Sequence, residues 1–320
     1  MTHPNARSAD QDFIDLFEAY GPHETARRLN INVRRVYDRR VKMEKKYGRQ
    51  LTPPYHAGGG RYRHGIKHAG RIEIAIPNGE VLVGSDAHYW PGIVSTAHRA
   101  FVKLIKEIKP KAVIMNGDVM DGASISRHPP IGWESRPTVI QEIETCKERL
   151  EEISDAAGKD CRLIWPLGNH DARFETRLAQ VAPEYAKVHG VHLQDHFPDW
   201  EPCWSTWIND NTVVKHRFKG GMHATHNNAL WSGKSMVTGH LHSLKWNPIA
   251  DYNGRRYGVD TGTMAEPDGP QFADYTEDNP KNWCSGFAVL TYWQGRLLAP
   301  ELAEVFDDGL VSFRGKVIEA

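Results

Sequence analysis

No Cys-x-x-Cys pair occurs anywhere in this chain, and its four cysteines, Cys146, Cys161, Cys203 and Cys284, stand far apart. That spacing argues against a thiolate zinc site or a disulfide framework and predicts reduced thiols packed as small hydrophobes. No apolar run approaches the roughly 18 residues that a membrane-spanning helix requires, and the start, Met1-Thr2-His3-Pro4-Asn5, lacks the apolar stretch of a signal peptide. A cytoplasmic enzyme with no membrane partner is the expectation. Net charge is absent too, with 40 Lys and Arg against 40 Asp and Glu, so only the distribution of charge informs. Neither an internal repeat nor a low-complexity segment is visible. What is present, 320 residues of which 40% are hydrophobic, suffices for a full catalytic core and a small extra module.

Five short segments carry the chemistry: Asp86-Ala87-His88, Gly117-Asp118, Gly168-Asn169-His170-Asp171, a histidine-bearing stretch from His216 to His226, and Gly239-His240-Leu241-His242. Three of them follow short apolar runs, Val81-Leu82-Val83, Ala112-Val113-Ile114-Met115 and Leu163-Ile164-Trp165, that read as strands. Their polar residues are therefore expected at strand ends, where an open α/β sheet has its crevice. Mixed carboxylate, imidazole and amide donors suit divalent Mn, Fe, Zn or Ni. In Asp86-Ala87-His88 and His240-Leu241-His242, residues two apart on an extended backbone face the same side, so each pair can address one cluster. Two metal ions about 3.5–4 Å apart need a bridging anion, and Asp118 is the best candidate. Any one of these segments alone is more often a turn or surface loop; their conjunction points to a two-metal site.

The order of the segments resembles the calcineurin-like metallophosphoesterase family, whose pattern is D-x-H, G-D, G-N-H-D/E, a lone H and G-H-x-H, and the match spans residues 81–242. The resemblance implies an α/β fold of two β-sheets flanked by helices. It implies that Asp86, His88, Asp118 and His242 hold one metal ion, and Asp118, Asn169, His240 and the lone histidine the other. Mn is the expected ion for activity. It further implies that His170 is no ligand but acts on the phosphate or the leaving oxygen. For the lone histidine the sequence offers three candidates. His216 ends the strand-like run Thr212-Val213-Val214-Lys215-His216 and is preferred; His223 follows Gly220-Gly221 and stays open; His226 reads as a substrate-side or helix-start residue.

The chemistry expected is hydrolysis of a phosphodiester by a hydroxide shared between two cations. His170 assists the departing oxygen, and Asp171 either orients that imidazole or caps the helix that follows. Arg173 and Arg177 follow at helical spacing, and one of them, Arg173 first, is expected to reach a substrate phosphate. The loop 122–136, after the bridging-Asp motif, carries Arg127 and His128 as phosphate contacts and Trp133 as a stacking candidate, though an ordinary surface loop explains it equally well. Trp200, Trp204 and Trp207 read as core or rim packing.

Charge is concentrated near the N-terminus. Between residues 22 and 50 stand ten basic residues (Arg27, Arg28, Arg34, Arg35, Arg39, Arg40, Lys42, Lys45, Lys46, Arg49) against Glu24, Asp38 and Glu44, a balance of plus seven. Phe13, Ile14, Leu16, Phe17 and Tyr20 form one apolar helical face; Gly21-Pro22 breaks it; Asn32 is a plausible N-cap for a helix carrying Val33, Val36, Tyr37, Arg40 and Val41. Residues 1–50 thus resemble a helix-turn-helix, in which Arg34, Arg35, Arg39 and Arg40 would meet DNA. The alternative is a helical hairpin that packs on a protein. Residues 51–70, with Pro53-Pro54 and Gly58-Gly59-Gly60, read as a basic linker, and 71–320 as the catalytic domain. Within it, 71–76 and 80–84 are expected to form a hairpin about Pro77-Asn78-Gly79, helices to run over 95–108 and 138–156, a second hairpin to turn at Asn253-Gly254, and 287–293 to be a late strand.

These features favour a phosphodiesterase acting on nucleic acid, DNA first, of a kind that looks phage-encoded. A phosphomonoesterase or nucleotide phosphodiesterase, or a DNA-binding regulator with an inert metal site, are the alternatives. Oligomeric state leaves no trace in the sequence.

Overall fold

The computed structural model describes residues 4–51, 68–128, 130–276 and 279–320, so most of the expected 51–70 linker lies outside the described residues. The chain divides into a unit up to residue 63 and a larger unit from residue 64.

In the smaller unit the Pro4–Leu29 helix is interrupted at Gly21, whose φ of 74° and ψ of 177° precede Pro22. Proline has no amide hydrogen to continue the ladder, and only glycine takes this backbone cheaply. The Thr25 hydroxyl donates to the Leu16 carbonyl at 3.0 Å and ties the two halves together. The Val33–Tyr47 helix begins at Asn32, whose side chain accepts from the Arg34 amide, and ends at Gly48 in the left-handed region. Phe13, Ile14, Phe17, Ala26, Val36, Met43 and Leu51 form the core. Leu51 therefore belongs to this core and not to the linker. Tyr37 and Val41, expected on the apolar face, are exposed, as is Tyr20. Arg39 and Arg40 have taken that face: their guanidinium groups lie 4.6 Å and 5.7 Å from the Phe13 and Phe17 ring centres.

In the larger unit, two sheets pack face to face among the described residues. The first runs, edge to edge, through Lys316–Glu319, Leu310–Phe313, Glu301–Asp307, Gly286–Trp293, Gly79–Gly84, Ala112–Met115, Arg162–Pro166 and Glu201–Cys203, with Arg296–Leu297 beside Gly286–Trp293. The second runs through Ile72–Ile74, Thr206–Ile208, Thr212–Val214, Ser235–Thr238, Gly254–Asp260 and Lys245–Asp251. Alternation explains the layering. Val81, Val83, Ile114 and Ile164 point between the sheets, where they meet Ile74, Val214, Val237 and Val259. Leu82, Val113, Met115 and Trp165 point the other way, under the Thr96–Ile108 and Val139–Ala157 helices. These helices begin at Ser95 and Thr138, each of which accepts an amide with its hydroxyl. The Ala224–Ser232 helix covers the outer face of the second sheet through Ala229, against Val213, Met236 and Ile249. Two sheets flanked by helices is thus the architecture.

The expected hairpin at 71–84 does not form. Ile72–Ile74 pairs in parallel with Thr206–Ile208 in one sheet, while Gly79–Gly84 sits between Ala112–Met115 and Gly286–Trp293 in the other. Asn78 and Pro77 turn the chain across the sandwich edge instead, accepting from the Gln294 and Gly295 amides. The hairpin at Asn253-Gly254 does form, with Gly254 opposite Asp251. Cys146, Cys161 and Cys203 are buried and unpaired, and Trp204 is exposed rather than packed.

Ile114 is fully buried between the sheets, so Ile114→Ala should lower the unfolding free energy by about 2–5 kcal/mol. A denaturant midpoint shift worth less than about 1 kcal/mol would contradict this packing. Burial pushes the Cys161 and Cys203 thiols up to about 11. Native protein at pH 8 should therefore alkylate slowly at both, and unfolded protein fast.

Candidate metal centre

All the polar segments converge at one edge of the sandwich. Gly79–Gly84, Ala112–Met115 and Arg162–Pro166 are parallel neighbours, as are Thr212–Val214 and Ser235–Thr238 in the facing sheet. Asp86, Asp118, Asn169, His216 and His240 lie just beyond their carboxyl ends. Backbone pairing continues past the strands: the Asp86 amide donates to the Gly117 carbonyl, His88 to Asp118, and Gly239 to His216. The Thr263 hydroxyl donates to the Asp86 carbonyl, and the His240 amide to Asp86 Oδ2.

The loops are bent in an unusual way. Asp86, His88, Asp118, His240 and His242 all have φ between 39° and 73°, a left-handed region that non-glycine residues rarely enter and that clusters at functional sites. The motif glycines have steric reasons as well. A Cβ on Gly168 would run into the Asp118 carboxylate, and one on Gly239 into Asp86.

The donor atoms fall into groups. Asp86, His88 and His242 offer ligand atoms within 4.8 Å of one another, and so do Asp118, His216 and His240. His242 Nε2 lies 3.2 Å from Asp86 Oδ1, and His216 Nε2 3.1 Å from Asp118 Oδ2. Neither approach is an aligned hydrogen bond, since Asp86 Oδ1, His216 Nε2 and Asn169 Oδ1 are buried without a hydrogen-bond partner. Buried polar atoms are normally satisfied. Several that converge unsatisfied are what a metal ion's ligands look like, and oxygen and imidazole donors suit the borderline divalent ions. The residues present therefore fit a pair of cations.

The electrostatics agree. Burial works to raise the Asp86 and Asp118 carboxyls, but the surrounding imidazoles outweigh it and hold both below the usual range. Burial lowers His216 and the two carboxylates more than offset it, pushing it up to about 10. The pocket demands positive charge.

Of the histidine candidates, His216 stands among the donors, its Nδ1 held 2.8 Å from the Asn116 carbonyl. His223 is exposed at the start of the Ala224–Ser232 helix, and among the described residues neither it nor His226 joins a ligand group. The expectation for Asp171 requires correction. Its carboxylate accepts from the amides of Asp118, Val119, Met120 and Gly168 and from the Trp165 indole. It braces the Asp118 loop and does not touch the His170 ring. The carboxylate beside that ring is Asp121, which sequence reasoning missed: Oδ1 lies 3.2 Å from His170 Nδ1 and 2.9 Å from His88 Nδ1. Its one sequence signal is its position three residues after Asp118. The Asp121 carbonyl also accepts from Arg173, and Arg173 Nη2 reaches His170 Nε2 at 3.1 Å.

Around the donors opens a cleft of about 870 Å³ lined by Arg127, His128, Arg173, Arg177 and, unforeseen from the sequence, Arg136, Arg217, Phe272 and Trp283. In the smaller unit, Arg34 and Arg35 are exposed. Arg39 and Arg40 are engaged within the unit, with the Ala9 carbonyl and with Glu44, so the expected four-arginine surface is reduced to two.

No protein-family model matches the chain. The Gene 54 protein of Mycobacterium phage L5 is 28% identical over 250 residues, which cover 69% of this chain and 91% of that protein. Among solved structures, a novel archaeal phosphodiesterase is 13% identical, covering 71% of this chain and 99% of its own at a TM-score of 0.35. A protein serine/threonine phosphatase from Saccharomyces cerevisiae is 13% identical, over 75% and 85% at 0.36. A dimetal phosphatase from Danio rerio is 11% identical, over 76% and 98% at 0.35. Resemblance that distant says nothing about chemistry, so the side chains themselves must. No described helix is long and apolar enough to cross a membrane.

Glu142 supports the site from behind, its carboxylate accepting the Gly122 and Ala123 amides at 2.7 and 2.9 Å. Burial, reinforced by Asp121, pushes it up from 4.5 to about 7. The folded state thus favours the neutral acid, and the contribution to stability is full below pH 4.5 and lost as pH rises through about 7. Unfolding curves of wild type and Glu142→Gln should show wild type losing stability relative to the variant between these limits; parallel pH profiles would refute the assignment.

Proposed function

We propose that the larger unit is a dinuclear metal-dependent phosphoesterase that hydrolyses phosphodiesters of nucleic acid. The observation that carries this reading is the burial of unpartnered donor atoms from Asp86, Asn169 and His216, with Asp86 and His216 in the ligand groups Asp86, His88, His242 and Asp118, His216, His240. Asp86, His88 and His242 would hold one ion, Asn169, His216 and His240 the other, and Asp118 would face both. Two divalent cations supply Lewis-acid activation of water and neutralise phosphoryl charge; Mn is the ion we would supply first.

The protein's own groups do the rest. His170 Nδ1 meets the Asp121 carbonyl at 2.8 Å, which only accepts, so Nδ1 carries a proton and Nε2 accepts from Arg173 Nη2 at 3.1 Å. Burial lowers this imidazole, but Asp121 and Asp118 outweigh it and raise the group, so Nε2 takes up a proton for the departing oxygen once Arg173 turns from it to the substrate phosphate. Arg173 stands beside it as a phosphate donor.

The nucleic-acid preference rests on the rim. Arg127, Arg136, Arg173, Arg177 and Arg217 line the cleft, and among the described lining residues only Asp118, Asp121 and Glu134 oppose them, with Glu134 bonded to Arg136. So many cations suit a substrate with phosphates on both sides of the scissile one. Exposed Arg34 and Arg35 give the N-terminal unit a matching affinity for DNA phosphates.

With Mn, the protein should hydrolyse bis(4-nitrophenyl) phosphate and cut DNA, and Asp118→Asn should lower both rates by more than about 100-fold, beyond the loss usual for residues that only support a ligand. Hydrolysis of 4-nitrophenyl phosphate alone would favour a phosphomonoesterase, and no hydrolysis at all a DNA-binding regulator.

A further inference from the structure

No Asp or Glu occurs from residue 211 to residue 250, a stretch that carries Lys215, Arg217, Lys219, Lys234 and Lys245. The fold brings part of it to the surface beside the cleft. Arg217 lines the cleft, is exposed, and has no carboxylate partner among the described residues. Next to it Phe218 is 45% exposed, and Trp231, on the Ala224–Ser232 helix, is 69% exposed.

Lysines attend both rings. Lys219 Nζ lies 4.3 Å from the Trp231 ring centre and 5.8 Å from that of Phe218, with Lys215 Nζ 5.4 Å from Phe218. The loop is held in place, since the Lys219 amide donates to Asn228 Oδ1 at 3.0 Å and Lys245 to the Met222 carbonyl. An exposed indole and phenyl on an ordered loop cost solvation and contribute little to the core, which is the usual mark of a binding surface. Aromatic rings interleaved with cations suit one ligand chemistry: unpaired bases that stack while lysines meet the phosphates between them. A duplex keeps its bases stacked inside and gains only the charge.

We infer that Phe218, Lys219 and Trp231 form a platform for single-stranded nucleic acid, leading the strand past Arg217 into the cleft. The inference rests on the phosphodiesterase reading and narrows its substrate to one with unpaired nucleotides next to the scissile bond.

The test uses the full chain in EDTA and an oligonucleotide of about twelve residues containing 5-iododeoxyuridine. Ultraviolet cross-links should map to the peptides bearing Phe218 and Trp231. Phe218→Ala/Trp231→Ala should lose these cross-links and bind the single strand about tenfold more weakly, with duplex binding changed less than twofold. Its turnover of bis(4-nitrophenyl) phosphate, too small to reach the platform, should match wild type. Cross-links confined to other peptides, or undiminished single-strand binding by the double variant, would overturn the platform. So would undiminished binding accompanied by a changed sedimentation coefficient, which would make the patch a protein interface. Should wild type fail to hydrolyse the small diester, the phosphoesterase reading falls while the cross-links still decide the platform.

Discussion

Two carboxylates, Asp86 and Asp118, are almost wholly withdrawn from water, and everything else at this edge of the molecule answers to them. Removing a charge from water costs several kcal/mol even after relaxation, and the imidazoles around them approach without completing aligned hydrogen bonds. Protons on those imidazoles can balance the charge, but only by occupying the atoms that would bind metal. Cations balance it and leave every donor engaged.

The fold supplies what such a cluster needs. Parallel strands from both sheets end at one edge, and their loops are locked to one another by backbone bonds before any side chain is placed. Left-handed backbone at Asp86, His88, Asp118, His240 and His242 costs of order 1–3 kcal/mol per residue. The sandwich core and the Asp171 carboxylate, with its four backbone amides and one indole, hold it in place. Asp171 works as a brace on Asp118, and Asp121 as the contact that orients two rings.

Much of this was legible in the chain. The strand–ligand alternation is local, so Val81–Val83 followed by Asp86, and Ala112–Met115 followed by Asp118, could be read without the fold. So could the helices expected over 95–108 and 138–156. Partnership was not legible. Nothing near Gly79 says that Gly79–Gly84 will pair with Gly286–Trp293 and not with Ile72–Ile74, because an inter-strand partner 200 residues away competes on buried area and not on turn propensity. Asp171 was misread for the same reason: adjacency to His170 suggests contact, whereas the helix turns the carboxylate back into the Asp118 loop. The arginine rim is assembled from three separate segments, and Arg39 and Arg40 looked available because their docking on Phe13 and Phe17 is tertiary.

The most direct measurement is anomalous X-ray scattering from crystals grown with Mn. Two peaks about 3.5–4 Å apart, one beside Asp86 and His242, the other beside His216 and His240, with Asp118 touching both, is the predicted result. A single peak, or none within reach of Asp86 and Asp118, would contradict the account.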